Sequence, residues 1–167
     1  MLQPVGPRGM GNFERTVRQG VRLESLSLSV EDSRMLARSY PGRRVRVWGV
    51  SPGTSERNHN QWLRLRIGDV VLFTGGGGVI AIARVFHKTD DPRLASQLWP
   101  TPAGRQPWRY IYFLCDVQIE IITERALNLR LGYRAGAHVQ NTRVIERDKV
   151  DRVLELVDEL GFDRKLA

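Results

Sequence analysis

From Arg43 to Val50 the chain alternates: Val45, Val47 and Gly49 fall on one side, Arg44, Arg46 and Trp48 on the other. A period of two predicts a strand with one face on a core and one toward solvent. On that reading Trp48 shares the polar face with arginines, a place for a ring that covers apolar surface or meets a ligand. Further on, Ile67-Gly68-Asp69 reads as a turn into an apolar strand, Val70 to Phe73. Four glycines, Gly75 to Gly78, then precede the apolar run Val79 to Phe86, which predicts a flexible hairpin connection between two strands. The longest β run is Trp108 to Thr123, with Trp108, Tyr110, Tyr112 and Leu114 on one face and Ile111, Phe113, Cys115 and Val117 on the other. Both faces are apolar at its start, which predicts a central strand, with a bulge or bend beyond Val117. A weaker alternation over residues 21–28 predicts an edge strand.

Helical signals lie between these strands. Ser29, with Glu31 and Asp32 behind it, caps a predicted helix to about Tyr40, which Pro41-Gly42 ends. Asn60 to Leu65 fits a helical turn with Trp62 and Leu65 inward. Asp90 or Asp91 caps a short helix carrying Leu94, Ala95 and Leu98, with Pro92 in its first turn and Trp99-Pro100 at its end. Thr123 or Glu124 opens another through Leu127; Arg143 to Ile145 reads as extended. A terminal helix from Glu146 or Arg147 carries the stripe Val150, Val153, Leu154, Val157 and Leu160, and Gly161 stops it. Residues 1–20 hold four glycines and no steady period, so they read as a flexible arm, leaving 21–167 as a single domain. Five or six strands with short helices between them and one at the end predict an α+β domain curved into a barrel, not a doubly wound sheet.

Charge sharpens this picture. Lys and Arg number 26 against 18 Asp and Glu, a net charge of +8, and only Lys88, Lys149 and Lys165 are lysines. Such a balance fits a polyanionic partner, and arginine forks suit phosphate and base stacking; an Arg-rich proteome would produce the same bias. The single cysteine, Cys115, excludes an internal disulfide and reads as a buried thiol. No 18-residue apolar run predicts a membrane span and no apolar signal core opens the chain, so a cytoplasmic protein is expected. His59, His87 and His138 lack metal-ligand spacing, and the glycine run lacks the Lys-Ser/Thr of a phosphate loop. We therefore expect no metal, no cofactor and no catalysis in this chain.

The stretch Trp48 to Phe73 is the densest in aromatic, cationic and amide side chains. Its polar loop, Ser51 to Asn60, is either a ring of donors beside Trp48 or an ordinary solvated loop. The ordered set of Trp48, Asn58, the strand entry GDVVLF (residues 68–73), the VIAIARV run (79–85), Leu98-Trp99-Pro100 and the aromatic strand from Arg109 to Phe113 resembles the PUA-like superfamily, closest to EVE and YTH domains. The likeness spans roughly Val45 to Ile145; the glycine run and the N-terminal segment lie outside it. It implies a reader of a modified base in nucleic acid, held in an aromatic cage after extrusion from the stack. Carried over by position, Trp48 and Trp99 are implied as cage walls, with Tyr110 or Tyr112 closing it. Gly49, Ser51 and Asn58 are implied at the base edge, and Arg143 on phosphate, with Arg57 and Arg105 as further phosphate contacts. Trp62 and Trp108 are read as core or rim. The expected partner is modified DNA, N6-methyladenine favoured over modified cytosine, with any nuclease or NTPase in a fused region or a separate subunit. The isolated domain is expected as a monomer. Two alternatives stay open: a PUA-like module for N6-methyladenosine or structured RNA, and a domain whose aromatics are all core.

Overall fold

The computed structural model describes residues 1–53, 56–101, 104, 107–119, 122–134, 136–137 and 142–162. Its strands are β1 (Leu2–Pro4), β2 (Val21–Arg22), β3 (Arg44–Val50), β4 (Val70–Gly75), β5 (Gly78–Asp90), β6 (Tyr110–Gln118) and β7 (Ile122–Thr123). They form one sheet in the order β1-β4-β5-β6-β3-β2, with β7 pairing the start of β5. Only the β1–β4 pairing is parallel. Helices are α1 (Met10–Phe13), α2 (Val30–Ser39), α3 (Arg57–Arg64), α4 (Pro92–Leu98), α5 (Glu124–Leu131) and α6 (Val150–Glu159).

Strand β6 sits between β5 and β3, as its two apolar faces require, and is buried from Tyr110 to Leu114. The register of β5 slips once against β4 and twice against β6. Such irregularities bend and twist a strand, and here the sheet curls far enough that the Tyr112 hydroxyl on β6 donates to Gln3 Oε1 on β1 at 3.0 Å. Inside the curl lie Phe13, Trp48, Val71, Phe73, Ala81, Ala83 and Tyr112. The sheet is curled but not closed: no ladder joins its edge strands β1 and β2 among the described residues. The barrel expected from the sequence is therefore an open one.

Two further cores cover the outer surface of the curl. Leu36 of α2 and Leu94, Ala95 and Leu98 of α4 pack on Val45, Val47, Ile111 and Phe113. Leu127 and Leu131 of α5, with Val153, Leu156 and Val157 of α6, pack on Leu2, Leu72 and Ile82. Helix signals in the sequence hold well. Ser29 accepts from Asp32 N, Asp91 accepts from Arg93 N and Leu94 N, and Thr123 accepts from Ala126 N. Gly76 and Gly77 at φ +58° and +87° make the hairpin between β4 and β5, a left-handed pair only glycine adopts without strain.

Two expectations need correction. Residues 1–20 are not a loose arm: β1 is paired to β4, and Leu2, Val5, Phe13 and Val17 are buried. Four residues of α-helix pass directly into a π-helical stretch, Glu14–Arg18, and so short a mixed segment has no steady period to read. Nor is β3 half exposed. Its Val45–Val47 face meets one core and Trp48, 2% exposed, the other. Phe13, from the segment read as an arm, closes over Trp48 with ring centroids 6.3 Å apart.

Candidate nucleic-acid interface

At the C-terminal end of β3 the chain leaves the sheet through Ser51 and returns as α3. A pocket of about 170 Å³ opens there, lined by Gln3, Pro4, Trp48, Gly49, Val50, Ser51, Asn58, Trp108 and Thr142. The curl creates it by setting the end of β1 beside the end of β3, strands far apart in sheet order.

Its floor is a small polar network. Gln3, 4% exposed, accepts at Oε1 from the Tyr112 hydroxyl and from Thr142 Oγ1 (3.3 Å), and donates from Nε2 to Pro4 O (3.1 Å). Asn58 Nδ2 donates to Ser51 O at 3.0 Å, so the loop end and the helix are joined across the pocket rim. The half-buried Trp108 borders the pocket on its aromatic side, packed on the buried Trp48 with centroids 4.9 Å apart at 63°. Trp108 also packs on Trp99 at 4.8 Å. The indole N–H of Trp48 is buried and has no partner among the described residues; a buried donor left so costs about 1–3 kcal/mol.

Helix α3 is held in place by contacts that leave its exposed side clear. Trp62 Nε1 donates to Ile111 O at 3.2 Å, and Gln61 Oε1 accepts from Val144 N at 2.7 Å. Lys88, on β5, donates to Trp62 O and Leu65 O at 2.6 and 2.5 Å, satisfying the last carbonyls of the helix. Its ammonium also lies 4.2 Å from the Trp62 ring centre, and burial lowers its pKa.

The sequence-derived site residues divide clearly. Trp48, Gly49, Ser51 and Asn58 share the pocket. Trp99, Tyr110 and Tyr112 do not line it. Trp99, 3% exposed, stands behind Trp108 and against Gly49, where an added Cβ would meet its ring at 2.8 Å. Tyr110 stacks on His59 and Trp62, at 4.7 and 5.3 Å between centroids. Tyr112 is fully buried, and burial pushes its pKa well above the ordinary value. The four rings thus form no common cage around the pocket. Arg57 starts α3 and is exposed; Arg143 is exposed beside Thr142. Arg105 lies outside the described residues.

Sequence reasoning missed Gln3, Pro4 and Thr142 and left Trp108 as core or rim. Gln3 and Pro4 lay in the segment read as an arm. Trp108 was legible: it continues the alternation of Tyr110 and Tyr112 one step past the strand end, where a side chain leaves the core for the rim. A larger cavity, about 340 Å³, lies between α6 and the Gly68-Asp69-Val70 turn, but no aromatic residue lines it. No group of three or more His, Cys, Asp or Glu suited to a metal occurs among the described residues. No described helix is long and apolar enough to cross a membrane.

No family model matches the sequence, and a search of curated proteins finds no match. Among solved structures the chain is similar to the N-terminal domain of Thermococcus gammatolerans McrB bound to m5C DNA. The TM-score is 0.68 at 17% identity, over 95% of this chain and 96% of that one. The chain thus has the mixed α/β fold of that domain.

Proposed function

We propose that this chain is a non-enzymatic reader of a modified base in DNA, and that the base is a modified cytosine extruded from the duplex into the pocket at the end of β3. The observation that carries this is the pocket itself: the half-buried Trp108 ring, backed by the buried Trp48, beside a polar rim of Ser51 and Asn58 over the Gln3 floor, on the fold of a domain solved with m5C DNA. A flipped base needs a stacking surface and partners for its hydrogen-bonding edge. Stacking is worth about 1–3 kcal/mol per base, against a few kcal/mol for extrusion. The remainder falls to edge hydrogen bonds, for which the Ser51–Asn58 rim is the candidate.

Likeness to a domain solved with m5C DNA favours cytosine over the N6-methyladenine expected from the YTH-like sequence pattern. At about 170 Å³ the pocket lies well below the roughly 300–1,000 Å³ of drug-sized ligand sites and is of a size for one flipped base. The net charge of +8 supplies the phosphate attraction, with the exposed Arg57 and Arg143, chain neighbours of the lining residues Asn58 and Thr142, as contacts. The reading fits a targeting module of a modification-dependent restriction system, with cleavage or nucleotide hydrolysis in a fused region or a separate subunit.

Extrusion is testable by 2-aminopurine fluorescence, with the probe beside a 5-methylcytosine in a short duplex. Binding should raise the emission as the neighbouring stack opens, and Trp108→Ala should suppress the rise. A tight complex with unchanged emission would exclude extrusion. An RNA duplex of the same sequence that competes equally would redirect the reading to an RNA module.

A further inference from the structure

Beside the pocket, two cations share one tyrosine ring, and one of them is paired with a carboxylate. Lys149 Nζ pairs with Glu146 Oε2 at 2.9 Å and sits 4.9 Å from the centre of the Tyr133 ring. The Arg143 guanidinium is 5.9 Å from the same ring centre, and its Nη1 donates to the Tyr133 hydroxyl at 3.5 Å. Glu146 is held below its ordinary pKa of 4.5, chiefly by Lys149, then by Arg143 and Arg64.

The group is tied to the pocket by backbone. Arg143 N and O exchange hydrogen bonds with Leu2, at 3.0 and 2.8 Å, next to Gln3 on the pocket floor. Thr142, its other neighbour, lines the pocket. The bond from Val144 N to Gln61 ties the same segment to α3, which carries Asn58.

We infer that Arg143 and Lys149 form the seat of the DNA phosphate next to the extruded nucleotide, and that in the free protein the Glu146 carboxylate occupies part of that seat as an internal anion. The inference rests on the DNA-reader reading. A carboxylate and a phosphate present the same anionic oxygens to guanidinium and ammonium donors, so the two compete for one set of partners. Tyr133 sets the spacing of the cations by holding Arg143 and Lys149 against its ring.

The test is a salt series by fluorescence anisotropy, on the full chain with a short duplex, methylated and unmethylated. Glu146→Gln should tighten binding to both duplexes severalfold and steepen the plot of log K against log salt by up to about 0.9. Arg143→Ala should weaken binding to both and flatten the slope by about 0.9, with the ratio between the two duplexes kept. Glu24→Gln changes the net charge equally from an exposed site beside the opposite sheet edge and should leave the slope unchanged. Unaltered or weaker binding by Glu146→Gln, or an equal gain from Glu24→Gln, would overturn the seat, as would an unaltered slope in Arg143→Ala. If wild-type protein bound both duplexes equally while these slopes shifted as expected, the base-reading proposal would fail and the phosphate seat would stand.

Discussion

Gly49→Ala probes the packing that holds Trp108 beside the pocket. A Cβ at Gly49 would lie 2.8 Å from Trp99 Cζ3, 3.1 Å from Cη2 and 3.3 Å from Tyr110 O. Ordinary contact begins at 3.4 Å, so the ring must yield by about 0.6 Å. Trp99 has little room: it is 3% exposed, and Trp108 lies 4.8 Å away on one side with Trp48 at 6.4 Å on another. An indole is rigid, so the shift passes to Trp108 and reaches the pocket. Overpacking of this kind costs about 1–3 kcal/mol. For a chain of this length each kcal/mol lowers Tm by about 2–4 °C, so the loss should be about 2–12 °C by circular dichroism or calorimetry. Affinity for methylated DNA should fall at a temperature where the variant is still folded. A Tm within about 1 °C of wild type would refute the proposed packing of Trp99 on the strand.

Other outcomes follow from single residues. Trp108→Ala should keep the far-ultraviolet spectrum, since the side chain is only partly buried, but lose about 1–3 kcal/mol of base stacking, roughly a 5- to 150-fold loss of affinity for the methylated duplex by anisotropy. Asp91→Ala removes the acceptor for two helix N–H groups and should cost about 0.5–2 kcal/mol, seen as a lower urea midpoint with an unchanged m-value. Burial first, then the charge of Asp116, pushes the Cys115 thiol from 9.0 up to about 11. The folded state favours the neutral thiol, so the stability it contributes is complete below pH 9.0 and is lost as pH rises through about 11. Iodoacetamide should accordingly alkylate native protein slowly at neutral pH and with a midpoint near 11, and urea should bring that midpoint back toward 9.0.

The strands and caps were legible because each carries a local signal. The two-sided apolar run of β6, the Gly76-Gly77 turn and the oxygens of Ser29 and Asp91 each depend on residues close in sequence. Long-range placement was less so. Alternation puts Trp48 opposite Val45 and Val47 but cannot say that the sheet curls back to bury that side as well. The same curl brings Gln3 and Thr142 to the pocket, residues 45 and 94 positions from Trp48 in the chain. Nothing in their own neighbourhoods marks them. Of the expected site, the stretch Trp48 to Asn58 falls together because it is one strand end and its following loop and helix. Tyr110 and Tyr112 share the alternation of Trp108 yet separate from the pocket, because hydroxyl and ring partners inside the fold already engage them.

The most direct test of the account is the affinity of the full chain for three duplexes matched in sequence, carrying 5-methylcytosine, N6-methyladenine or no modification, at one moderate salt concentration. The account predicts the tightest binding to 5-methylcytosine, with the other two alike and held by phosphate contacts alone. Equal affinity for all three, or a preference for N6-methyladenine, would contradict it.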